Sequence, residues 1–168
     1  PVNTMRRLMV AVPPKAEFEA GFYKWVERLA RIGGQLGCRV HFWAHPDTIQ
    51  SINGYLKKFH SNVRVEFSPM DDWDDLLLMS NKVAYDHLVV IVSARKGAIS
   101  YQSSFEELPN QISKYFSNCS LMLIYPDQLG DPLENLTFSS PRGQSENRIY
   151  DHVSKWVYKW VKKGEEQG

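Results

Sequence analysis

No apolar run in the chain approaches the roughly 18 residues that a membrane-spanning helix needs, and its start shows no secretory signal. Cysteine is scarce. Cys38 and Cys119 lie far apart and match no metal or redox spacing, which fits a reducing compartment better than a disulfide scaffold. Charge of one sign is not in excess either: the formal net charge is +1 at pH 7, so nothing points to nucleic acid or another acidic polymer as a partner. There is no G-x-S-x-G elbow, no P-loop and no Ser-His-Asp or Cys-His grouping, and catalysis therefore has no positive support. Internal repeats are absent as well. Asn118-Cys119-Ser120 and Asn135-Leu136-Thr137 fit the glycosylation pattern, but without a secretory signal they read as accidental. The chain opens at Pro1 without an initiator Met, and the expectation is a piece of a longer protein.

What is present is an ordinary globular composition, 43% apolar and 23% charged over 168 residues, enough for one well-packed domain and an appendage. Leu8-Met9-Val10-Ala11-Val12, stopped by Pro13-Pro14, reads as a buried strand. Phe18, Phe22, Trp25, Val26, Leu29, Ile32 and Leu36 recur by threes and fours, marking one face of a long helix that Gly33-Gly34 and Gly37 fray and end. Residues 39–43 form the next strand, and Asp47-Thr48 can cap a helix carrying Ile49, Ile52, Leu56 and Phe59. Alternation over 63–67 predicts a strand with one solvated face. A short helix from Asp72 to about Val83, a strand over 88–92, a helix over 105–117 and a strand over 121–125 complete the pattern.

Strand–helix alternation at this spacing predicts an open five-stranded parallel sheet with helices on both faces, and right-handed crossovers favour the order 3-2-1-4-5. The domain is expected over 1–126. A Pro- and Gly-containing loop follows over 127–144, then an amphipathic helix over 145–164 carrying Trp156 and Trp160 beside Lys155, Lys159, Lys162 and Lys163. That helix is expected to pack on the domain or on a partner, with a basic rim; a membrane surface is the other option its pattern allows.

In an open α/β sheet the ligand crevice lies beyond the carboxyl ends of the strands, where the strand order reverses. Here Pro13-Pro14-Lys15 would face Ser93-Ala94-Arg95-Lys96-Gly97, with Arg95 and Lys96 able to pair with a phosphate and Ser100 able to donate to one. The candidate ligand residues are thus Pro13, Ser93, Arg95, Lys96, Gly97 and Ser100. Asp71-Asp72-Trp73-Asp74-Asp75 lacks the Gly and later Glu of a calcium loop, and reads as a helix start with Asp72 and Asp75 as a capping box. His41 and His45 would fall on one side of a strand, but no third metal ligand lies near them in sequence.

The stretch VVIVSARKGAISYQSSFEELPNQISKYFSNCSLMLIYP, with the order of elements, resembles the universal stress protein domain over about residues 6–126. SPMDDWDD followed by VSARKGAISY resembles, more narrowly, the cytosolic C-terminal domain of bacterial cation/proton antiporters of the sodium/proton exchanger type. That likeness rests on residues 66–126. The nucleotide-binding members carry Gly-x-x-Gly and, nine residues later, Gly-Ser/Thr after the fourth strand. Aligned from Ser93, those positions hold Ser93, Lys96 and Glu106-Glu107, and the acidic residue usual after the first strand is replaced by Pro13 or Pro14. The resemblance therefore implies the fold but not ATP binding, with a smaller anion or an altered nucleotide left open as ligand. It implies a non-catalytic regulatory domain on the cytoplasmic side of the inner membrane, partnered by the membrane domain of its own transporter chain. It also implies a homodimer through Leu121, Leu123 and Tyr125 of the last strand, an apolar edge that invites pairing. The alternative is a stand-alone universal stress protein holding an adenine nucleotide in altered geometry.

Overall fold

A computed structural model describes residues 5–128 of the chain. Nine elements alternate along it: β1 (Arg7–Ala11), α1 (Phe22–Leu36), β2 (Arg39–Ala44), α2 (Pro46–Phe59), β3 (Val65–Pro69), α3 (Leu76–Ser80), β4 (His87–Val92), α4 (Leu108–Tyr115) and β5 (Ser120–Ile124). All five strands are parallel, in the order β3-β2-β1-β4-β5, as the alternation predicts. The amphipathic helix expected over 145–164 lies outside the described residues. Of the loop expected over 127–144, only Asp127 and Gln128 are described. Among the described residues, no helix is long and apolar enough to cross a membrane.

The period-two alternation of the strands divides the core in two. Leu8, Val10, Val40, Phe42, Val90 and Val92 point to one face, where Phe22, Trp25, Val26 and Leu29 of α1 and Ile52 and Leu56 of α2 cover them. Met9, Ala11, Trp43, Val89 and Ile91 point to the other, under Leu76 and Met79 of α3, Leu108 of α4, and Trp73 and Phe105. Cys38 packs in the first cluster and Cys119 against the second, both as free thiols, so the sheet stands between them.

The helix boundaries depart from expectation in informative ways. The apolar stripe predicts one helix from Phe18, but Ala16–Phe18 is a separate 3-10 turn and Phe18 is 67% exposed. Helix α1 starts only after Gly21, whose N–H donates to the Asp127 carbonyl at 2.8 Å; a Cβ there would lie 2.6 Å from the Asp127 nitrogen. Gly33-Gly34 does not fray α1, which runs to Leu36 and ends on Gly37 at φ 63°. Helix α2 is capped by His45, not by Asp47-Thr48. The His45 Nδ1 accepts the Asp47 N–H at 3.2 Å, Pro46 takes a first-turn position, and Thr48 turns inward to donate to Glu17 at 2.7 Å. The helices expected over 72–83 and 105–117 are each split, a 3-10 turn leading into a shorter α-helix (Trp73–Asp75 before α3, Ser103–Glu107 before α4). The Asp72–Asp75 capping box forms as read from the sequence.

Gly33 and Gly34 are neighbours with opposite surroundings. A methyl at Gly33 would come 2.5 Å from Val40 Cγ2 on the rigid sheet, whereas at Gly34 the nearest atom, Val63 Cγ2, is 4.0 Å away. Gly33→Ala is expected to lower stability by about 1–3 kcal/mol through overpacking. Gly34→Ala is expected to raise it by about 0.5–1 kcal/mol, by removing backbone freedom from the unfolded chain and glycine from a helix. Urea midpoints of the two variants measure this, and equal shifts of one sign would show that α1 does not cross the sheet at Gly33.

Candidate functional site

Strand order reverses between β1 and β4, and their carboxyl ends diverge there. The Val12 N–H, just past β1, donates to the Trp43 carbonyl at 2.9 Å, while the Ser93 N–H, just past β4, donates to the Ile124 carbonyl at 2.8 Å. The two chains thus turn toward opposite neighbours and leave a crevice, the position where such sheets take ligands. Pro13 is buried on one wall, and Lys15 adopts a left-handed φ of 66°, unusual for a residue with a Cβ. Ser93 and Ser100 are buried on the other wall, and between them Arg95 and Lys96 are exposed and Gly97 turns the chain at φ 89°.

The crevice is closed by a residue that the sequence reading did not single out. Glu19, 7% exposed, follows the 3-10 turn after β1 and folds back across the gap. Its Oε1 accepts both the backbone N–H of Ser100 at 2.9 Å and the Ser100 hydroxyl at 2.6 Å. Gln128 adds a second tie: its Oε1 accepts the Arg95 N–H at 2.8 Å, and its Nε2 reaches the Ser100 Oγ at 3.4 Å. Arg95 itself turns away, its guanidinium 3.5 Å from the Pro126 carbonyl and 5.9 Å over the Tyr125 ring. The segments that carry the six candidate residues follow the carboxyl ends of β1 and β4, but their chemistry is not pooled. Ser100 is committed to an internal carboxylate, Arg95 leans on the segment after β5, and Lys96 faces solvent. An incoming phosphate would meet the Glu19 carboxylate where it needs donors.

Beside the crevice runs an apolar groove of about 310 Å³ between the ends of β4 and β5 and the start of α4. Ser93 and Leu123 lie in it with Tyr101, Phe105 and Tyr125, and Glu106 is at its exposed rim. Two of the positions where nucleotide-binding proteins of the resembled family have glycine, Ser93 and Glu106, thus line this groove with side chains.

The histidine pair separates. His41 is on β2 with its ring 5.1 Å from that of Trp43, whereas His45 has left the strand to cap α2. Among the described residues no three His, Cys, Asp or Glu side chains come together as a metal site. His41 belongs instead to a polar network at the start of the sheet. Arg7 Nη1 donates to its Nδ1 at 3.3 Å, so Nε2 carries the proton and donates to Ser68 Oγ at 2.7 Å. Burial lowers the pKa of His41 and of His87 below the ordinary 6.5; Glu66 and Asp86 oppose the effect, and Arg7 adds to it.

No family model, curated protein or solved structure matches the chain.

The Glu19–Ser100 tie predicts a measurable coupling. Glu19→Ala leaves two buried donors without a partner and is expected to cost about 3 kcal/mol, Ser100→Ala about 1–2 kcal/mol. The double variant should fall short of their sum by about 1 kcal/mol or more, whereas additive denaturation energies would mean the contact is not formed in solution. The histidines predict a pH dependence. A pKa lower in the folded than in the unfolded protein means that the folded state binds fewer protons. Stability is then full above about 6.5 and declines as pH falls toward the folded values. Replacing His41 and His87 together with Asn should flatten the melting-temperature profile between about pH 5 and 7. The lowered carboxyls of Glu27 and Asp127 act only at more acid pH, as they lose charge below their ordinary 4.5 and 3.8. An unchanged slope in the double variant would count against this account.

Proposed function

We propose that the chain is a non-catalytic regulatory domain with the universal stress protein fold, carried on the cytosolic side of a sodium/proton antiporter. The observation that carries this reading is the closed switch-point crevice. The crevice offers an incoming phosphate the Glu19 carboxylate, already bonded twice by Ser100, and two positions that hold glycine in nucleotide-binding relatives carry the side chains of Ser93 and Glu106 in the groove beside it. A module with a self-filled crevice acts through shape and association. Its output on a transporter is a coupling energy between its own state and that of the membrane part.

Association through β5 belongs to the same proposal. Among the described residues β5 is an edge strand; of the residues expected at the interface, Leu121 and Tyr125 are 36% and 53% exposed whereas Leu123 packs against the core, and Met122 is 37% exposed. A second copy related by a two-fold axis would extend the sheet antiparallel across this edge, covering the open backbone groups of both strands. The alternative, a stand-alone protein holding an adenine nucleotide in altered geometry, draws on the 310 Å³ groove, whose aromatic walls suit a base and whose Glu106 rim does not suit phosphates.

Reconstitution of the whole transporter in vesicles, with and without these residues, tests the proposal. Removal is expected to change sodium-driven proton exchange by about fivefold or more at some pH, as usual allosteric coupling energies would produce. Met122→Lys, placing a charge on the edge, should yield a monomer in sedimentation velocity and reproduce the change. Rates unaffected by removal, or a full-length gene product without membrane-spanning segments, would overturn the reading.

A further inference from the structure

We propose that the amino edge of the sheet, opposite the switch point, is a binding site for a phosphate group. Because all five strands are parallel, their starting residues share this edge, and three of them are basic in one row: Arg39, Arg7 and His87 stand in register across β2, β1 and β4. Arg6 precedes β1 and Arg64 precedes β3. Together these residues line a cleft of about 540 Å³, with Met5, Gly37 and Asp86. Its size is that of a small-molecule site. Four guanidiniums line it with the Asp86 carboxylate, and Glu66 on β3 pairs two of the four, leaving basic charge in excess.

The arginines are held in place before any ligand arrives. Glu66, on β3, accepts the Nη1 of Arg7 at 2.8 Å through one oxygen and the Nη1 of Arg39 at 2.6 Å through the other. Among the described residues it takes only that nitrogen of each, so the Nη2 and Nε donors of both forks have no partner. Arg64 is steadied by its Nη2 on the Gly37 carbonyl, and Arg6 by Asp86 at 3.3 Å. The His87 Nδ1 accepts the Ala84 N–H at 3.1 Å, so Nε2 is the donor, 3.7 Å from Asp86 Oδ1. Planar forks on fixed stems match phosphate oxygens in pairs, and a compact dianion suits several of them better than a single carboxylate would. Preorganisation by Glu66 lowers the ordering cost of binding. A lipid headgroup and a free phosphorylated solute share this chemistry, and the test separates them. The proposal stands on this edge alone and does not depend on the transporter reading.

The full 168-residue chain is titrated with pyrophosphate at low ionic strength by calorimetry, and floated with vesicles of phosphatidylglycerol and phosphatidylcholine at three to seven. Saturable one-to-one pyrophosphate binding is expected, weakened about tenfold or more in Arg6→Gln/Arg64→Gln and less than about twofold in Lys57→Gln/Lys58→Gln, which removes the same charge from the end of α2. Arg6 and Arg64 are exposed, so the variant should fold; Arg6→Gln alone, at a side chain 82% exposed, carries the test if it does not. Flotation with the anionic vesicles, reversed by pyrophosphate, assigns the site to a headgroup; pyrophosphate binding without flotation assigns it to a soluble phosphate. Absence of saturable binding to either probe, or equal losses in the two charge-matched variants, overturns the proposal.

Discussion

β1 is bonded residue for residue on both sides, Arg7 through Ala11 against β2 and against β4, and the rest of the fold depends on this double pairing. A strand so placed must be apolar on both faces, and Leu8 through Val12 are each at most 1% exposed. The two faces then need separate covers: α1 and α2 on one, the shorter α3 and α4 with their leading 3-10 turns on the other. Reversal of strand order at β1 also fixes where the chain can open. The carboxyl ends of β1 and β4 part company there, and the fold must fill that gap either with a ligand or with itself.

This protein fills it with itself. The Glu19–Ser100 tie joins the loop after β1 to the loop after β4, and Gln128, just past β5, bonds into the same loop. A buried carboxylate with two short donors is strongly oriented, and its desolvation is offset only while both donors stay in place. That ties together the loops that flank the switch point. The polar network at the opposite edge has a different character: its charges are half-exposed, and Glu66 links Arg7 on the central strand to Arg39 on its neighbour.

The strands were legible because each central one is a short apolar run bounded by turn residues, and strand order followed from crossover handedness. Helix starts were less legible. The 3.6-residue stripe continues through Phe18, but the close approach of Gly21 to Asp127, a contact over a hundred residues in sequence, decides where α1 begins. Asp47 looked like a cap by residue type, yet Pro46 beside it was the better clue, since proline prefers the first helical turn. Glu19 could not be found by motif. It is one acidic residue in Ala16-Glu17-Phe18-Glu19, and only the fold brings it to Ser100, 81 positions later. The basic edge left a faint signal: Arg7 and Arg39 open strands that are apolar apart from His41, and Arg64 immediately precedes another, where a buried parallel sheet has little use for charge.

The double pairing of β1 also has a mechanical meaning. A pull on residue 5 acts along the axis of the one strand that is bonded throughout on both sides, so two ladders resist in shear together, whereas a pull on β5 would load only one. Tension applied at residue 5 is therefore carried by two ladders at once. Among the described residues β3 and β5 are each held by one ladder and would part from the sheet before β1.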